Sequence, residues 1–60
     1  MSNEELRKQV KLLKAFQNIT YSELAGYLEI KQSSFYSWLK GQYNFGEERQ
    51  KRLYEIITNL

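Results

Sequence analysis

"TYSELAGYLEIKQSSFYSWLKG", Thr20 to Gly41, reads as two helices and the corner between them. Thr20 followed three residues later by Glu23 is the spacing of a capping box, so a helix starts here and runs through Leu24, Ala25 and Leu28. Ile30 is placed to plug the corner, and Ala25 offers a small side chain where a crossing helix comes close. Gly26 costs such a helix about 1 kcal/mol against alanine, and nothing in the sequence explains it. The next helix carries Phe35, Trp38 and Leu39 at i, i+3, i+4, an inward stripe, and Gly41 ends it as a C′ glycine. Its other face holds Gln32, Ser33, Tyr36, Ser37 and Lys40: hydrogen-bonding side chains with no carboxylate. Exposed faces elsewhere in the chain mix Glu with Lys, so this face is unlike the rest.

Working outward, a first helix spans about Asn3 to Phe16. Ser2 or Asn3 can cap it, Leu6, Val10 and Leu13 face the core, and Arg7, Lys11 and Lys14 form a basic row that reads as a solvated face. "QNI" breaks this helix, with Asn18 expected in a left-handed turn conformation. After the loop "QYNF", a fourth helix covers about Gly46 to Asn59, with Leu53, Ile56, Ile57 and Leu60 as its apolar stripe. No repeat, linker or low-complexity segment divides the chain. The expectation is one all-α domain over residues 1–60, a compact bundle of four or five helices.

Composition narrows the function. The chain has 60 residues and lacks Cys, so neither disulfides nor thiolate metal sites can brace it; core burial, with nine aromatics, must suffice. It has no His and no Asp; its carboxylate side chains are seven Glu. The pairs Glu4-Glu5 and Glu47-Glu48 point about 100° apart on a helix, so neither converges on one substrate atom. Both fit better as acids at the positive end of a helix. An enzyme is not expected, nor a metal or other cofactor. No apolar run approaches a membrane span, and the N-terminus lacks a signal-peptide core, so a soluble cytoplasmic protein is expected.

The formal charge is only +2, yet it is unevenly placed. No acid lies between Glu29 and Glu47, while Lys31 and Lys40 do; outside that interval the charges balance. All the excess belongs to the unusual helix and the loop after it, where a polyanion would be drawn.

Thr20 to Gly41 resembles the helix-turn-helix of Cro/CI-type phage repressors, also called the XRE family. The resemblance is carried by Glu-Leu-Ala in "SELAGYL", by Ile30 after the turn, by the inner Phe35, and by Trp38 and Gly41 of "SWLKG". With the flanking helices it covers nearly the whole chain. Two features depart from the family: Glu29 stands where glycine is usual in the turn, and the loop "QYNFG" lacks the frequent basic residues.

The resemblance implies a sequence-specific transcriptional regulator, a repressor in the simplest case, that binds operator DNA as a homodimer with residues 32–40 in the major groove. Gln32, Ser33, Tyr36 and Ser37 would read bases, Gln32 pairing with adenine N6 and N7. With no Arg on that face, an A/T-containing half-site is expected. Tyr21, Lys31, Lys40 and Asn44 would contact the backbone. Tyr43 is open between packing and backbone contact, and Tyr54, Ile57 and Leu60 between a dimer surface and the monomer core. A protein-binding antirepressor or modulator, docking on a repressor or polymerase subunit through the same fold, is the alternative; a third is the DNA-binding half of a larger repressor.

Overall fold

The computed structural model describes residues 2–60, and among these are four helices and no strand: α1 (Asn3–Phe16), α2 (Tyr21–Leu28), α3 (Gln32–Leu39) and α4 (Glu47–Thr58). α1 packs on α4, and α2 on both α3 and α4. The radius of gyration, 10.3 Å, is that of a compact chain of this length, for which about 10 Å is expected.

Local chemistry sets the helix ends. Ser2 caps α1 by accepting from the Glu5 amide. The capping box of α2 is complete: Thr20 Oγ1 accepts from the Glu23 amide, and Glu23 Oε1 accepts from the Thr20 amide. α2 and α3 end alike. At the end of α2 the Ile30 amide bonds to the Ala25 carbonyl and the Glu29 amide to that of Gly26; at the end of α3 the Gln42 amide bonds to the Ser37 carbonyl and the Gly41 amide to that of Trp38. Both are Schellman closures, which need a left-handed residue. Gly41 supplies it at φ +81°, and Glu29 at φ 59°, ψ 39°. Glu29 therefore does what glycine would do there, at a steric cost of about 1–2 kcal/mol.

The expectation for Asn18 is corrected: among the described residues Glu29 is the one non-glycine with positive φ. α1 closes with the Gln17 amide on the Leu13 carbonyl, and Gln17 then turns extended, so no left-handed residue is needed. Leu60 is also corrected. It lies beyond α4 and is half exposed, while Leu53 is buried and Ile56 and Ile57 pack against the core.

The core joins Leu6, Val10, Leu24, Ala25, Leu28, Phe35, Trp38 and Leu53 with two residues outside the helices, Ile19 and Phe45. Trp38 and Phe45 stack at 4.3 Å with planes 5° apart. Asn3 ties this stack down: its Oδ1 accepts from Trp38 Nε1 (2.8 Å) and the Phe45 amide (2.9 Å), and its Nδ2 donates to the Phe45 carbonyl (3.2 Å). A buried indole N–H without an acceptor would be costly, so Ser2 serves as the cap and Asn3 turns inward.

Candidate nucleic-acid interface

Phe35 and Trp38 are fully buried and Leu39 is partly so, which fixes the rotation of α3 about its axis. At about 100° per residue, Gln32, Ser33, Tyr36, Ser37 and Lys40 then cover one continuous arc of about 140°. All are exposed except Ser37, which is half-buried. α3 starts at Lys31 with no side-chain cap and no acid in its first turn, leaving open amides at its positive end. The acidic residue nearest in sequence, Glu29, leans toward α4, where its carboxylate lies 3.9 Å from Arg52. Arg52 also donates to the Tyr27 carbonyl at the end of α2.

One edge of the arc is aromatic and basic. The Tyr36 ring stands edge-on to Tyr21, with centroids 5.7 Å apart and planes at 87°. Tyr21 also leans on Phe35 and carries the Lys14 ammonium 5.1 Å above its ring. Gln32 Nε2 donates to the Tyr36 hydroxyl at 3.2 Å. The structure thus brings Tyr21, Gln32 and Tyr36 together and adds Lys14 from α1. The first amides of α2, those of Tyr21 and Ser22, have no acceptor within the helix.

The opposite edge is the loop between α3 and α4. Arg7 holds it: Nε donates to the Trp38 carbonyl at 2.6 Å, and Nη2 donates to the Tyr43 carbonyl (2.8 Å) and Asn44 Oδ1 (2.9 Å). Its guanidinium also lies 5.1 Å from the centre of the Trp38 ring. With its carbonyl oxygen held by Arg7, Asn44 has its amide nitrogen left to donate. Tyr43 packs rather than hanging free: its hydroxyl donates to the Ser34 carbonyl and its ring meets Phe45 edge-on. Lys31 and Lys40 do not cluster. They sit at opposite ends of α3, about 13 Å apart along its axis, and both are exposed.

The basic row of α1 is therefore not a plain solvated face. Arg7 is a clamp, Lys14 joins the arc's edge, and Lys11 is exposed between them. The sequence signal was available: the row's i, i+4, i+7 spacing ends six residues before the capping box, so its last lysine borders the start of α2.

Tyr54 and Leu60 are half exposed and Ile57 half-buried; Tyr54 and Ile57 line a shallow groove between α1 and α4 with Glu5, Leu6, Gln9 and Thr58. On α1, Leu12 and Phe16 are also exposed, Phe16 to 83%. A wider recess between the end of α2 and α4 is lined by Glu29, Glu48, Arg49, Lys51, Arg52 and Glu55, mixed charges that favour neither sign of ligand. Among the described residues no cluster of three or more His, Cys, Asp or Glu could hold a metal, and no helix is long and apolar enough to cross a membrane. No known family model, curated protein or solved structure matches the chain.

Proposed function

We propose that this protein is a sequence-specific DNA-binding regulator of the helix-turn-helix kind, with α2 lying across the backbone and α3 in the major groove. One observation carries the reading: the carboxylate-free arc of α3, bordered by Lys14 and Tyr21 on one side and by the Arg7-braced loop on the other. A surface meeting phosphates and base edges cannot hold carboxylates cheaply, because each would be desolvated beside like charge. Gln32, Ser33, Tyr36 and Ser37 face the bases. Lys14, Lys31 and Lys40 take phosphates as point charges, Asn44 donates from the loop, and the open amides at Tyr21 receive a phosphate at the positive end of α2.

So few ionic contacts make a monomer a weak binder, which favours a homodimer through Tyr54, Ile57 and Leu60 with its reading helices about 34 Å apart. Three ionic contacts per subunit give a slope of log K against log salt of about −5 for the dimer. Fluorescence anisotropy of a labelled duplex across a salt series tests this. A slope near that value supports the reading; binding indifferent to salt, or none at low salt, contradicts it. The exposed Leu12 and Phe16 on α1 favour a second reading, docking on a protein partner as an antirepressor or modulator does. Apolar docking of that kind would persist as salt rises.

A further inference from the structure

Tyr36 shares the outward arc of α3 with Gln32, and its hydroxyl is engaged by that neighbour. Its ring stands edge-on to Tyr21, which is itself packed against Phe35, and this contact places the hydroxyl as an acceptor one turn from Gln32. Gln32 Nε2 donates to that hydroxyl at 3.2 Å. A glutamine amide has two N–H hydrogens and one carbonyl oxygen. With one hydrogen engaged by Tyr36, one donor and one acceptor remain to face outward. That is the pattern adenine requires, since its N7 accepts and its N6 amino group donates. Guanine presents two acceptors, O6 and N7, and needs two donors, which the engaged amide no longer has. The hydrogen bond also restrains a side chain that would otherwise lose several rotamers on binding.

We infer that Tyr36 is a positioning residue that orients Gln32 and thereby sets its preference for adenine over guanine at one base pair. The inference rests on the DNA-binding reading, and the experiment separates their failures. A binding site is first selected from a randomised duplex with the wild-type protein. Affinities are then measured for that site, for its A·T to G·C variant at the position read by Gln32, and for a version carrying 7-deazaadenine there, which lacks the N7 acceptor. Gln32→Ala identifies the position by abolishing discrimination at it. Tyr36→Phe keeps the ring against Tyr21 and removes only the hydroxyl. It should lower the adenine preference at that position about two- to tenfold, the worth of one hydrogen bond, and shrink the 7-deazaadenine penalty, with other positions unchanged. An unaltered preference in Tyr36→Phe overturns the inference while leaving DNA binding intact. So does a uniform weakening across all sequences, which would put the hydroxyl on a phosphate. If the wild type selects no site, the DNA-binding reading itself falls, and this inference with it.

Discussion

Replacing Glu29 with glycine should stabilise the protein, and the size of the gain follows from the turn. Glu29 sits at φ 59°, ψ 39°, where its Cβ crowds the backbone by about 1–2 kcal/mol. Its carboxylate also lies at the negative end of α2, worth another few tenths of a kcal/mol against folding. Glycine removes both terms. Against this, it raises the entropy of the unfolded chain by about 0.4–1 kcal/mol and deletes the contact with Arg52. That pair is 3.9 Å apart with side chains 81% and 56% exposed, so at most a few tenths are lost. The net gain is about 1 kcal/mol, or roughly 4–8 °C in Tm for so small a domain. Urea unfolding followed by circular dichroism should show a higher midpoint with an unchanged m value. Glu29→Ala is the control, because it removes the charge and the ion pair but keeps the Cβ. Equal stabilisation by alanine would refute the backbone argument, as would no gain from glycine.

Three further outcomes are expected. Gly26→Ala should gain about 0.5–1 kcal/mol, since a Cβ at that helical position meets nothing within 4 Å; a lower urea midpoint would contradict it. Asn3→Ala strands the Trp38 indole N–H and the Phe45 amide, costing about 2–6 kcal/mol at 1–3 for each unpaired group, readable as a lowered midpoint and altered tryptophan fluorescence. Lys14→Gln should weaken DNA binding uniformly across sequences and flatten the salt slope by about 0.9 per subunit, measured by anisotropy.

Much of the fold was legible because periodicity reports on helices. Leu6, Val10, Leu24, Leu28, Phe35, Trp38 and Leu53 follow helical spacing and are buried. The capping box at Thr20 and the terminator at Gly41 are chemical signals that survive in any context. Ile19 and Phe45 belong to the core as well, yet they lie between helices, where no period marks a residue as inward. Asn18 shows the opposite error: a residue suited to a left-handed turn stands where an extended exit already satisfies the backbone.

The outward arc of α3 could be read from residue types alone, because burying Phe35 and Trp38 leaves Gln32, Ser33 and Tyr36 nowhere else to face. One of its borders could be read as well: the basic row of α1 ends six residues before Thr20, which puts Lys14 beside the start of α2. The other could not. Arg7 reaches Trp38, Tyr43 and Asn44 across 31 to 37 residues of chain. Such a clamp depends on the tertiary arrangement, and local spacing carries no record of it.

The most direct test of the central claim is an amide NMR titration of the isotopically labelled protein with a short mixed-sequence duplex, at low and then moderate salt. DNA binding by the α3 arc predicts shifts concentrated at Lys14, Tyr21, Lys31 to Lys40 and Asn44, reversed as salt rises. No shifts at low salt, or shifts confined to Leu12, Phe16 and Tyr54 on the α1 and α4 side, would contradict it.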